Sequence, residues 1–211
     1  MWHYLFVLLL CAQSDHAVVL DRNQLAAWFP NYLTDTKFNL YSRQITSISI
    51  GTFTGLSQLQ ELRLYENQLS SLDPSIFKGL SQLQLLHLAS NKLTTLDSSI
   101  FNGLSQLKRL FLFSNQLTSL DASIFKGLSQ LQYLFLYQNR LTSLDASIFN
   151  RLSQLLELSL SSNNLISLDR NIFTGLLNLE KVRLRSNPIS IMQPSYVKQL
   201  CLTNPVCTIY I

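Results

Sequence analysis

Six asparagines, Asn67, Asn91, Asn115, Asn139, Asn163 and Asn187, follow one another at intervals of 24 residues. Six phenylalanines, Phe53, Phe77, Phe101, Phe125, Phe149 and Phe173, keep the same interval. The asparagines sit in strings of the form L-x-x-L-x-L-x-x-N-x-L, as in LQELRLYENQL and LKRLFLFSNQL. Self-similarity at a period in the twenties means a solenoid. One coil cannot bury its leucines alone, so neighbouring coils must bury them against each other. Leu62, Leu64, Leu69, Leu72, Ile76, Phe77 and Leu80 are expected to point inward in one coil, with their counterparts 24 residues on directly above them.

The polar columns have structural explanations. The chain must turn sharply after each strand, and the buried backbone groups there need partners. An amide side chain both donates and accepts, so a column of asparagines can satisfy them coil after coil. Asp73, Asp97, Asp121, Asp145 and Asp169 recur in LDxSIF-like strings. One carboxylate per coil does not converge on a cation, and an aspartate ahead of a turn accepts backbone N–H groups. Gly55, Gly79, Gly103, Gly127 and Gly175 ease a turn, but Arg151 stands in the same column, so left-handed backbone cannot be obligatory there.

With these residues in hand, the chain resembles the extracellular class of leucine-rich repeat proteins, in the 24-residue form with a phenylalanine on the convex side. The resemblance implies an α/β solenoid, a horseshoe with parallel strands on the concave face and irregular or 3-10 turns on the convex face. It covers residues 35–192 as about seven repeats, the first and last atypical. Residues 15–34 read as an N-terminal cap, with a strand at Val18–Leu20, a helical turn before Pro30, and packing by Val19, Leu25, Trp28 and Phe29. Relatives of this class cap that end with a cysteine cluster, which is lacking here. Residues 193–211 resemble a cysteine-type C-terminal cap reduced from four cysteines to Cys201 and Cys207. Five intervening residues make a short local disulfide feasible in an oxidising compartment; two reduced thiols are the alternative. Residues 1–14 hold an apolar run too short to span a bilayer as a helix, which fits a secretory signal peptide with a weak n-region. The expected mature chain is secreted and extracellular, with no membrane span and no Asn-x-Ser/Thr sequon.

The strand positions that face away from the leucines are not copied between repeats. Just before the second leucine stand Lys37, Glu61, Leu85, Arg109, Tyr133, Glu157 and Lys181. Between the leucine pair stand Asn39, Arg63, His87, Phe111, Phe135, Ser159 and Arg183. After the pair come Tyr41, Tyr65, Ala89, Phe113, Tyr137, Ser161 and Arg185. Two adjacent coils therefore place Phe111, Phe113, Tyr133, Phe135 and Tyr137 side by side on strands about 4.8 Å apart. An exposed aromatic patch of this kind marks a contact surface. The candidate ligand contacts are these five rings together with Tyr65, with Arg109 beside Tyr133, where it could stack on the ring, and with Arg183 and Arg185, which cluster with Lys181 on the last full strand.

Composition, at 47% apolar and 13% charged, excludes the disordered class. A net charge of +4 and three clustered cations are too little to indicate nucleic acid. Neither a phosphate loop, a dinucleotide fingerprint nor a metal motif occurs, no cofactor is implied, and the histidines of the expected mature chain, His16 and His87, lack triad partners. Catalysis is not expected. The chain is similar to variable lymphocyte receptors and Toll-like receptor ectodomains, which implies a protein or glycan ligand on the concave face. Resemblance to small leucine-rich proteoglycans implies a self-associating matrix protein, a possible homodimer. Resemblance to secreted leucine-rich repeat inhibitors of glycosidases implies an enzyme regulator.

Overall fold

Alternation of leucine with unlike residues forces each L-x-L segment into extended backbone with two opposite faces. The computed structural model describes residues 17–201 and 206–211; the segment expected to be a signal peptide lies outside the described residues. In chain order the elements are β1 (Val18–Leu20), α1 (Arg22–Trp28), β2 (Lys37–Asn39), β3 (Ile45–Ile48), β4 (Glu61–Arg63), β5 (Leu85–His87) and β6 (Arg109–Phe111). There follow β7 (Tyr133–Phe135), β8 (Glu157–Ser159), β9 (Lys181–Arg183), α2 (Pro188–Met192), α3 (Pro194–Gln199) and β10 (Thr208–Tyr210). Strands β2 and β4 to β10 form one eight-stranded parallel sheet whose spatial order is the sequence order. Its register matches residues one repeat apart, Leu86 opposite Leu110 and Leu110 opposite Leu134. This is the expected solenoid with the parallel sheet on its concave face.

The return path of each coil is a run of 3-10-like turns. In one repeat the N–H groups of Ile76, Lys78, Leu80 and Leu83 donate to the carbonyls three residues earlier, at 2.9–3.2 Å. Between sheet and turns lies one leucine core, with Leu62, Leu64, Leu69, Ile76, Phe77 and Leu80 all 3% exposed or less and Leu72 packed partly buried against them. The phenylalanine column forms an internal stack in which Phe101, Phe125, Phe149 and Phe173 have centroids 6.3–6.5 Å apart.

The asparagine column does what the turn demands. Asn115 Oδ1 accepts from the N–H of Leu93 in the coil before it (3.1 Å), while its Nδ2 donates to the carbonyls of Leu88 (3.0 Å) and Leu112 (3.1 Å). Asn67, Asn91, Asn139, Asn163 and Asn187 repeat this pattern. The aspartate column closes Asx-turns: Asp97 Oδ1 accepts from the N–H of Ser99 (2.8 Å) and from its hydroxyl (2.6 Å). These bonds, the hydroxyl's foremost, hold the Asp73, Asp97, Asp121 and Asp145 carboxyls below their ordinary range. Gly55, Gly79, Gly103 and Gly175 take φ between 84° and 90°, whereas Gly127 and Arg151 do not, in keeping with the tolerance of arginine at that column.

One regularity was not anticipated. The residue just before each asparagine, together with Ser42 at the matching place in the first coil, has a positive φ of 52–58°: Ser42, Glu66, Ser90, Ser114, Gln138, Ser162 and Ser186. The chain leaves β2 and each of β4 to β9 through one left-handed residue.

The ends close the solenoid. The strand at Val18–Leu20 forms and pairs in parallel with β3, and Asp21 caps α1 by accepting from the N–H of Gln24 at 2.7 Å. Leu25 is fully buried, and Trp28 and Phe29 pack against the core. Arg43, which stands where later coils have asparagine, lays its guanidinium over Trp28 at 4.2 Å. Val19 corrects the expectation: it is 54% exposed, because alternation along β1 turns Leu20 into the core and Val19 outward. At the other end β10 pairs with β9, Cys201 and Cys207 are joined in a disulfide with Cα atoms 5.7 Å apart, and the Tyr196 hydroxyl donates to the Leu168 carbonyl at 2.9 Å.

Candidate functional site

The leucines of each L-x-L segment are drawn inward by burial, so the residues between and beside them are presented outward on the concave face at strand spacing. Register sets Phe111 opposite Phe135 and Arg109 opposite Tyr133. The rings meet as the spacing requires. Phe111 and Phe135 have centroids 5.1 Å apart, and Phe113 and Tyr137 stack at 4.4 Å with planes 8° apart. Tyr133 meets Phe135 edge-on at 6.5 Å. All five are half-buried, through contact with one another.

The patch is longer than the five rings. Tyr41 stacks on Tyr65 at 4.9 Å with planes 4° apart, Tyr65 meets His87 at 4.5 Å, and His87 meets Phe111 and Phe113 edge-on at 5.0 and 5.6 Å. Sequence columns alone show a break at Ala89. The imidazole of His87, from the neighbouring column, bridges it. One aromatic band therefore runs from Tyr41 to Tyr137.

His87 is unusual chemically. Burial, reinforced by the nearby Arg63 charge and opposed in part by Glu66, pushes its pKa down to about 4, and its Nδ1 is buried without a hydrogen-bond partner. It stands neutral at ordinary pH, as a member of a ring stack. The Tyr137 hydroxyl is raised by burial.

Charges flank the band in pairs. Glu61 lies between Lys37 (3.0 Å) and Arg63 (2.5 Å). Burial acts to raise the Glu61 carboxyl, but the Lys37 hydrogen bond and the Arg63 and Lys37 charges outweigh it and lower it. Arg183 donates from Nε to Glu157 Oε1 at 2.8 Å and lies 5.4 Å from the Tyr210 ring centre. The basic cluster at β9 is thus one committed arginine and two exposed cations, Lys181 and Arg185. Arg109 sits beside Tyr133, as the columns place it, but it is exposed and makes no cation–ring contact with that ring. Among the described residues no three His, Cys, Asp or Glu side chains converge on a point.

The family model for leucine rich repeats matches residues 36–93, 81–141 and 135–189. The chain belongs to the leucine-rich repeat family. Three solved structures are similar to it. The TLR13 chain of a TLR13–ssRNA13 complex is 31% identical over 81% of this chain and 23% of that one, with a TM-score of 0.73. A Leptospira interrogans leucine-rich repeat protein is 31% identical over 79% of this chain and 43% of its own, with a TM-score of 0.67. An internalin from Listeria monocytogenes is 26% identical over 90% of this chain and 50% of its own, with a TM-score of 0.66. This leucine-rich repeat protein thus spans a quarter to a half of the structures it matches. No curated protein matches it significantly. Sequence columns found the rings of β6 and β7, but missed Tyr41 and His87 as members of the band and the Glu157 partner of Arg183.

Proposed function

We propose that this leucine-rich repeat protein is a secreted recognition module that binds a protein or glycan ligand through the aromatic band of its concave face. The observation that carries the proposal is the unbroken ring band from Tyr41 to Tyr137 on the one face whose residues differ from coil to coil. Packing of the solenoid asks only for leucines and asparagines, and any polar residue would serve the outward positions. Large rings there stabilise a contact only when something covers them. Tyr65, Phe111, Phe113, Tyr133, Phe135 and Tyr137 are assigned as contacts, with Arg109, Lys181 and Arg185 as the charged rim. Secretion is supported by the apolar leader-like run at the start of the sequence and by the Cys201–Cys207 pair. Nucleic acid is not assigned to this face, since three free cations neutralise too few phosphates for stable binding.

The test is a pull-down from extracellular fluid with the wild-type chain, Phe113→Ser and Phe135→Ser in parallel, with light scattering of each. Partners held by the wild type and lost from both variants are the expected result. Identical captures by all three would overturn the assignment of the face. A dimer that dissociates on Phe113→Ser, with no other partner, would make the ligand a second copy of the chain.

A further inference from the structure

In the ring band each rung stands one strand from the next, and the band stops abruptly. After Tyr137 on the β7 coil the same column holds Ser161, then Arg185 on the β9 coil. The tight stack of Phe113 on Tyr137, 4.4 Å apart with planes 8° apart, uses one face of the Tyr137 ring, and the next residue of the column on the opposite side is Ser161. Two strand intervals separate Tyr137 from Arg185, a span of about 10 Å. A planar ring stacked between two flat groups needs about 4.5–5 Å on each side. The gap over Ser161 therefore has the width of one missing rung. Its floor is small, since Ser161, partly exposed, is the least bulky concave residue in its column apart from Ala89. The next residue of the column, on the far side, is a cation: Arg185 is exposed and forms no ion pair among the described residues, whereas its neighbour Arg183 is held by Glu157.

We infer that this slot receives an aromatic side chain of a partner protein, which stacks on the open face of Tyr137 and lies under the guanidinium of Arg185. The inference rests on the concave-face proposal and narrows it from protein or glycan to a protein bearing an exposed Tyr, Trp or Phe. A planar ring satisfies both walls at once, by stacking on one side and cation–π attraction on the other. A sugar ring is thicker, carries no π-face for the cation, and would leave hydroxyls against Tyr137. Lys181 beside the slot favours acidic residues next to the inserted ring.

The solenoid supplies its own probe. Tyrosine already occupies this column in other coils, at Tyr65 and Tyr137, so Ser161→Tyr should fill the slot with the chain's own rung and leave the fold intact. A phage-displayed library of random peptides would be selected on the full chain, and the enriched peptides measured against the wild type, Ser161→Tyr, Ser161→Ala, Arg185→Gln and Phe111→Ser, with melting curves for each. The expected result is an aromatic residue common to the enriched peptides, a loss of affinity of tenfold or more in Ser161→Tyr with an unchanged or raised Tm, a several-fold loss in Arg185→Gln, and no loss in Ser161→Ala. Peptides that depend on Phe111 but tolerate Ser161→Tyr would overturn the slot while leaving the concave-face proposal standing. Selection of no peptide, or only of peptides indifferent to every concave substitution, would count against both. Binding of a single-stranded oligonucleotide at physiological salt with the same Ser161→Tyr sensitivity would overturn the protein assignment in favour of a nucleobase.

Discussion

His87 occupies the place in the ring band that Ala89 leaves empty, and its chemistry follows from that position. Its folded pKa, about 4, lies below the ordinary value of 6.5, so between those values the unfolded chain binds a proton that the folded chain refuses. Stability must therefore fall as pH drops from about 6.5 toward 4. Half-burial allows solvent to screen part of the effect, which leaves about 1–2 kcal/mol. The depressed aspartates act in a separate window, losing their contribution only below about pH 3.8. His87→Phe keeps a ring in the band and removes the titration, so denaturation midpoints at pH 7 and pH 4.5 should differ less in the variant than in the wild type. An equal difference in both would show that the acid response lies elsewhere. Phe113 illustrates a second point. The column pattern marks it as outward and free, but its stack on Tyr137 means that Phe113→Ser should also lower stability by about 1 kcal/mol, against a loss of binding of about 2 kcal/mol or more. Comparison of urea midpoints with partner affinity separates the two. Columns reveal which residues share a face. They do not reveal that a side chain crosses from one column to fill a gap in the next, so His87 was invisible as a rung.

At the scale of one coil, the strand, its left-handed exit and the asparagine act as a unit. Asn115→Ala removes the acceptor for the Leu93 N–H and the donor for two buried carbonyls, and should cost about 3 kcal/mol by urea denaturation. Leu136→Ala opens a cavity in the same core and should cost about 2–5 kcal/mol. The exit residue gives a sharper test of the backbone. Ser114 has a φ of 53°, which disfavours any side chain and β-branched ones most. Ser114→Gly should be neutral or stabilising, while Ser114→Val should destabilise by about 1–2 kcal/mol; both lose the hydroxyl's bond to Gln138, so the difference between them reads the backbone. Equal effects would mean that the turn relaxes to another conformation. The 24-residue period made strand, core and asparagine ladder legible from sequence, because each leaves a repeated residue type. The exit geometry leaves only a negative trace, a column without β-branched residues, and negative traces are hard to read from seven copies.

Across the whole molecule the coils touch only their neighbours, so stability is a sum of coil and interface contributions and damage should stay local. The ends are where sequence was least informative, since they lack the repeat: Val19 was assigned to the wrong face of β1, and the pairing of β10 onto β9 left no periodic signal. Those ends cover the two edges of the leucine core. The Cys201–Cys207 bond tethers the start of β10 to the end of α3, and β10 in turn supplies Tyr210 beneath Arg183 and the last row of hydrogen bonds to β9. Replacing both cysteines with serine should therefore cost about 2–3 kcal/mol, and the cost should have an address. Amide exchange should accelerate in β9 and β8 and remain slow in β4 to β7, whose coils carry most of the aromatic band. Binding that depends on Phe111 and Phe113 should persist, while the contribution of Arg185 weakens as its strand frays. Uniform acceleration through all coils would instead show that the solenoid opens as a single cooperative unit, in which case the terminal disulfide would govern the recognition face as strongly as any residue on it.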